Sequence, residues 1–422
     1  MACRDGAREG ASEEVRISNM KRSLFLAAVI AFSGLSFAQT DDEKRLSSVL
    51  PAIIERSEAQ YRRLENAAQK VRVDKDGSHR IPHGYIAAEN KLDMRPIFWW
   101  TSGHFPGSLW YLYEATGKDE WKCRAIDWTD TQAPAADYTG NHDTGFRMFC
   151  PLGNGRRLSP GHRERYDALL VRSAATLCKR YHEGLGLLRS WGAINETKNF
   201  LVIPDNIMNL ELLMWASKQN VPQASFFRKV ALSHADVSMK NHFRNDGGTY
   251  HVLNYDQKTG RILEIYRGQG ASCLTAWSRG QSWAIYGYTM MYRESGEKRF
   301  LDFACKLADF AINHPNMPAD GVPYWDFGAP GEERDTSAAS VMASGLLELA
   351  RFVPGEKGKT YRAFAVRQLL SLASSEYFAK EGENGGFLLK HGVGHKPVGS
   401  EIDVPLDYGD YYFLEALLRF KR

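Results

Sequence analysis

Helical segments of two kinds alternate along this chain, and that alternation restricts its fold more than any other feature of the sequence. One kind is amphipathic and charged, at 43–70, 118–128, 162–181, 222–242, 298–313 and 359–378. In 162–181, Tyr166, Leu169, Leu170, Leu177 and Tyr181 recur at helical spacing, while Arg163, Glu164, Arg172 and Lys179 fill the opposite face. Such helices keep one side wet. The other kind is apolar or small-residue-rich almost all round, at 106–115, 143–150, 205–217, 280–293, 336–351 and 407–420. Helices of that composition are buried. Six outer–inner pairs predict an all-α fold, an (α/α)6 barrel of six helical hairpins whose inner helices form a ring. No strand–helix–strand rhythm competes with it. The stretch 244–266 reads as a small β-hairpin inserted between helices. Residues 382–403 read as a long Gly-rich loop before the last helix, and loops of that length are often functional.

The chain has 422 residues, 43% of them apolar and 12% aromatic, which is ample for one large core. The net charge of +4 is mild and no Lys/Arg cluster interleaves with aromatics, so nucleic acid is not an expected partner. Near the start, Met20-Lys21-Arg22 precedes an apolar run from Ser23 to Leu35, and Ser36-Phe37-Ala38 forms a small-x-small cleavage pattern. Residues 1–38 are therefore expected to be an N-terminal extension and signal peptide, and 39–422 a catalytic domain exported, in a bacterium, to the periplasm. No later segment reads as a membrane span. Past the signal, Cys123, Cys150, Cys178, Cys273 and Cys305 are scattered, odd in number and without C-x-x-C spacing. They read as free thiols, mostly buried, rather than a zinc site or a disulfide framework.

Chemistry-bearing residues gather at the starts of the apolar helices. Asp143 opens the second, Asp205 the third, Arg279 the fourth, Asp335 the fifth and Asp407 the sixth. Parallel inner helices bring those starts to one face, where free N–H groups favour anions. An Asp at a helix start is more often a cap than a catalyst, and a Trp in a barrel is more often core than a platform. Arg279 is harder to read as structure, because a buried guanidinium needs an anion. Two carboxylates, Asp143 and Asp205, beside Trp99, Trp100, Trp191 and Trp283 suggest acid/base work on a sugar. There is no H-E-x-x-H, no His cluster, no G-x-S-x-G and no phosphate-binding Gly loop, so metal, serine-nucleophile and nucleotide chemistry are unsupported.

Asn141-His142-Asp143-Thr144-Gly145-Phe146, Pro204-Asp205-Asn206-Ile207-Met208-Asn209, Ser278-Arg279-Gly280-Gln281-Ser282-Trp283 and Asp410-Tyr411-Tyr412-Phe413-Leu414-Glu415, in that order, resemble the unsaturated glucuronyl hydrolases, family 88 of the glycoside hydrolases. The resemblance runs from about 45 to 420. It implies the (α/α)6 barrel and hydration of a Δ4,5-unsaturated uronic acid at the non-reducing end of lyase-generated glycosaminoglycan disaccharides or oligosaccharides, with no metal or organic cofactor. It implies Asp205 as general acid/base and Asp143 as second carboxylate. His142, Trp191, His251, Gln269, Arg279, Trp283 and Trp100 match its substrate-binding positions. In that family the loop before the last helix reads aglycone sulfate. Here it is 390–397, with Lys396 as its candidate and heparin or heparan sulfate disaccharides as the expected substrates. The rivals are an unsaturated rhamnogalacturonyl hydrolase of family 105, an inverting glycosidase on a saturated sugar, and a non-catalytic sugar-binding protein.

Overall fold

The computed structural model describes residues 39–422, so the expected signal peptide lies outside the described residues. Met1–Lys44 and Arg45–Arg422 separate as two units, and the second holds the barrel. Its inner helices are α2 (His104–Thr116), α4 (Gly145–Gly153, continuing as Asn154–Leu158), α6 (Asn206–Ala216), α8 (Ser278–Ser295), α10 (Thr336–Phe352) and α12 (Asp407–Lys421). Alternating with them outside run α1 (Asp41–Ala68), α3 (Asp119–Asp130), α5 (Arg163–Cys178), α7 (Ala224–Asn241), α9 (Lys298–Ile312) and α11 (Gly355–Leu372). Every expected helix is found, most within a few residues of the expected ends; the one expected at 143–150 runs on to Leu158, and the one expected at 359–378 lies at Gly355–Leu372. Each inner helix packs on the next, α2 on α4, α4 on α6, round to α12, which closes on α2. The sequence explains the layering: α8 is buried without interruption from Ser278 to Met291, whereas α9 buries only Phe300, Ala304, Leu307, Ala308 and Ala311 along one stripe.

Because an outer helix returns the chain before every inner one, the inner six run parallel. Contacts at both ends bear this out. At the N-terminal end Arg279 of α8 meets Asp335, the cap of α10. At the C-terminal end Arg293 of α8 bridges Glu211 of α6 and Glu348 of α10, and Arg419 of α12 joins Glu348. Arginines suit that end, where helix dipoles leave negative partial charge. A cavity of about 420 Å³ opens there, lined among others by Tyr111, Glu211, Arg293, Arg351, Glu415 and Arg419.

The α2–α4 crossing depends on glycine. A Cβ on Gly103 would stand 2.1 Å from the Phe146 carbonyl oxygen, so only a bare backbone lets α2 begin there. Against expectation α4 opens as a π-helix over Gly145–Gly153, with Pro151 inside it. Wider turns of that kind recur where a helix serves a site.

The strands include the expected inserted hairpin and add three further pairs to it. The anticipated one exists as β6 (Val252–Tyr255) and β7 (Ile262–Tyr266), and β5 (Leu201–Val202) adds a third strand to it. A second hairpin pairs β1 (Arg80–Ile86) with β2 (Lys91–Pro96), broken by a register shift at Pro82–Gly84. A short pair, β3 (Tyr181–His182) and β4 (Leu187–Leu188), follows α5. Within the expected Gly-rich loop, β8 (Gly392–His395) pairs with β9 (Ser400–Val404). Pro82, Gly84, Gly392 and Gly394 hide the alternation that marks a strand. The five cysteines are free as expected, but Cys123 and Cys273 are exposed rather than buried. Among the described residues no helix is long and apolar enough to cross a membrane.

Candidate active site

Asp205 stands at the N-cap of α6 yet makes no capping bond, whereas Asp335 caps α10 by accepting from Ser337 N at 3.0 Å. The cap reading therefore holds for Asp335 and fails for Asp205. The Asp205 side chain is 6% exposed, and its Oδ1 has no hydrogen-bond partner. Burial lifts its acidity to about pH 7; the positive charge of Arg279 pulls it back, and the neighbouring Asp143 pushes it up again. A buried carboxyl that titrates near neutrality can both give and take a proton.

Asp143 is buried beside it, 3.3 Å from His142 Nε2. Burial depresses the His142 pKa, which favours the neutral ring, while Asp143 and the Asn206 side chain act in the other direction. Below Asp143 the buried Arg147 donates to Asn141 Oδ1, which also accepts from the Asp143 backbone N–H at 3.2 Å.

Arg279 has its anion and acceptors within the protein. One terminal nitrogen lies 3.4 Å from Asp335 Oδ2 and also donates to the Val393 carbonyl; the other donates to the Gly394 carbonyl at 2.8 Å. Gln269 Nε2 donates to that same Gly394 carbonyl at 2.9 Å. Arg279 and Gln269 thus fasten β8 across the mouth of the ring, leaving Arg279 Nε unpaired.

His251 accepts from the Gln269 backbone N–H at Nδ1, 2.7 Å away, and burial drives its pKa down to about 3, so the ring is neutral. Its plane lies 4.4 Å from Trp277 and meets Trp191 edge-on at 6.2 Å, and its Nε2 is free. Trp283 is fully buried, 5.1 Å from Phe146, and its indole N–H is directed at the Asp205 carboxylate. Trp100 is partly buried, 5.8 Å from Phe146 and 4.9 Å from Tyr408. Contacts therefore link Asp205, Asp143, His142, Arg279, Gln269, His251, Trp191, Trp283 and Trp100.

Lys396 stands apart from this group. Its ammonium is held between Glu332, at 2.6 Å, and Glu333, over the Trp325 ring. Other bases of that loop are likewise engaged, Lys390 by the Ser375 carbonyl at 2.9 Å and His391 by Asp403.

Two positioning groups escaped the sequence reading. Arg180 donates to the carbonyls of Thr139, Arg189, Ser190 and Gly192, and so clamps both neighbours of Trp191 to the strand of chain leading to Asp143. His83 joins Asp407 Oδ1, 3.2 Å from Nδ1, to Glu401 Oε1, 3.0 Å from Nε2. Burial opposes its charge, but the two carboxylates outweigh burial and raise it to about 10. Ligand atoms of His83, Asp93 and Glu401 lie within 4.8 Å of one another, a spacing that would suit a metal. Here Arg95 supplies the cation, 2.7 Å from Asp93 and 3.6 Å from Glu401, and a protonated His83 has no lone pair to give.

A parallel helical ring with a near-neutral carboxyl, a second carboxylate and aromatic walls at its N-terminal mouth defines a sugar-processing glycoside hydrolase. A curated unsaturated glucuronyl hydrolase of Formosa agariphila is 39% identical over 363 residues, 85% of this chain and 89% of the relative. The chain belongs to the unsaturated glucuronyl hydrolase family. An unsaturated chondroitin disaccharide hydrolase of Streptococcus pyogenes is 32% identical over 368 residues, 85% of this chain and 90% of that protein. Among solved structures, an unsaturated glucuronyl hydrolase specific for heparin aligns with a TM-score of 0.79 at 40% identity, covering 87% of this chain and 96% of that one. No family model matches.

Proposed function

We propose that this chain hydrates the Δ4,5 enol ether of the unsaturated uronic acid at the non-reducing end of glycosaminoglycan fragments. Asp205 gives its proton to C4 of the ring, and the resulting cation at C5 takes the oxygen of a water. Asp205, now a carboxylate, accepts the proton that water loses. The hemiketal so formed opens to a keto acid and releases the rest of the sugar as an alcohol. Asp143 holds the ring through its hydroxyls and keeps Asp205 protonated by its own charge. His142, His251, Gln269, Trp191, Trp283 and Trp100 shape the seat of the sugar.

The observation that carries this reading is the state of Asp205: uncapped, buried, with a free oxygen and a pKa lifted to about 7. Heparin or heparan sulfate disaccharides are the expected substrates, supported by the 40% identity with the heparin-specific enzyme. The paired state of Lys396 gives no support to sulfate reading by that side chain. The test is decay of the enol-ether ultraviolet absorbance on a panel of lyase-generated unsaturated disaccharides from heparin, chondroitin, hyaluronan and pectin. Fastest decay on the heparin set is expected. Preference for the chondroitin or pectin set would replace the substrate, and no decay on any member would remove the reaction.

We infer further that the chain is exported, on the strength of the basic, apolar and small-x-small succession over 20–38. Expressed in a Gram-negative host, it should be recovered from the periplasm with Gln39 as its first residue. An uncleaved chain in the cytoplasm would refute this.

A further inference from the structure

Buried polar atoms without partners are rare in folded proteins, and each needs an account. At the mouth of this barrel they include Asp205 Oδ1, His251 Nε2, Arg279 Nε, Asp407 Oδ2 and the hydroxyl of Tyr408. The first three belong to residues already placed in the site. Tyr408 does not. The C-terminal cavity offers no such signal, since Glu211, Glu348 and Glu415 there are all paired with arginine.

Tyr408 lies in the first turn of α12 and is 0% exposed. Its ring sits 4.9 Å from Trp100 and 6.4 Å from Trp283, and the Arg279 guanidinium carbon lies 5.2 Å from its centre. It therefore occupies the wall shared by Arg279 and Trp283, one turn apart on α8, both of which act on Asp205. The acids in reach of Tyr408 already have their cations. Glu401 and Asp407 share His83, and Asp335 has Arg279. Burial holds the phenol well above its usual range, so it remains an O–H donor.

We propose that the Tyr408 hydroxyl, together with Arg279 Nε, donates to the carboxylate of the unsaturated uronate. This rests on the reading above, in which Asp205 protonates C4. The carboxylate hangs on C5, one bond away, so its seat must adjoin Asp205. Arg279 acts on Asp205, and the Tyr408 ring lies against the Arg279 guanidinium, so two buried donors without an acceptor border that seat, and an anion is what satisfies them.

The test is Tyr408→Phe, which keeps the ring and its packing and removes only the oxygen. It is assayed on the unsaturated disaccharide and on its uronate methyl ester, with the inhibition constant used for the ester if it binds without turnover. On the free acid kcat/KM is expected to fall about ten- to a hundredfold, the scale of one hydrogen bond to a charged group. On the ester the change is expected to stay within about twofold, and Tm to hold or rise, because a buried unpaired hydroxyl costs its desolvation. Equal losses on acid and ester, or a fall in Tm, would show a structural hydroxyl and overturn the proposal. An unchanged variant beside an active wild type would overturn it and leave the hydration reading standing. A wild type inactive on every unsaturated sugar would remove both.

Discussion

Asp205→Asn is expected to lose about a hundredfold or more in kcat on any unsaturated disaccharide the wild type hydrates, and to gain stability while doing so. The loss follows from the role: an amide can neither give a proton to C4 nor take one from water, and general acid–base groups contribute on that scale. The gain follows from the site. Asp205 holds its proton up to about pH 7 when folded and releases it near the ordinary value of 3.8 when unfolded. Between those values the folded state binds the extra proton, so stability falls as pH rises. The stability of the neutral form is fully present below the unfolded value and is lost as pH passes through 7. At pH 8 the penalty is of the order of a few kcal/mol, at about 1.4 kcal/mol for each tenfold difference in proton affinity between the folded and unfolded chain. Asparagine, neutral at every pH, escapes it. Wild type and variant should therefore converge in thermal unfolding near pH 4 and separate at pH 8, with the variant the more stable. A variant less stable at both values would mean that Asp205 is a structural carboxylate.

The same titration shapes the activity. The acid must be protonated when substrate binds, so kcat/KM should be level on the acid side and fall about tenfold per unit above pH 7. A profile rising through that range would require the opposite proton inventory and would point to a base whose ionised form starts the reaction.

How much of this was legible in the sequence depended on the range of the interactions. The helices were, because burial writes itself along a single segment: the unbroken apolar run of α8 and the one-sided stripe of α9 each carry their own layer assignment. Asp205 and Asp143 stood out because the starts of several apolar helices, expected on one face, carry charged groups beside tryptophans. What Asp205 does there was not legible, since a cap and an acid look identical until the capping bond is found at Asp335 and not at Asp205. Lys396 read as a free cation because its partners, Glu332 and Glu333, lie more than sixty residues away in sequence. His83 and Asp407 are separated by 324 positions, and His83 sits in a strand whose Pro82 and Gly84 conceal it. Tyr408 was invisible for a further reason. Its signal is a missing partner, and only coordinates reveal an absence.

Arg279→Met is expected to cost about 3–5 kcal/mol of stability, the usual loss when one member of a buried ion pair is removed and the other stays charged. Asp335, 0% exposed, would keep its bond to Ser337 but lose its cation, the Val393 carbonyl would lose its Arg279 donor and the Gly394 carbonyl one of its two. Asp335→Asn is a necessary companion, since it preserves an oxygen to cap α10 while removing the charge. The double variant should lose less than the sum of the two singles, because no unpaired charge is left behind. Stability alone does not separate scaffolding from chemistry, but the pH profile does. The Arg279 charge pulls the Asp205 pKa down. Its removal must let that pKa rise, so the falling limb of kcat/KM in any residually active Arg279→Met preparation should move to higher pH. Gln269 would still hold the Gly394 carbonyl and keep β8 near its place, which makes residual activity measurable. A limb that stays at its wild-type position would mean that the guanidinium field ends on Asp335 and never reaches Asp205, and Arg279 would then be a fastener of β8 alone.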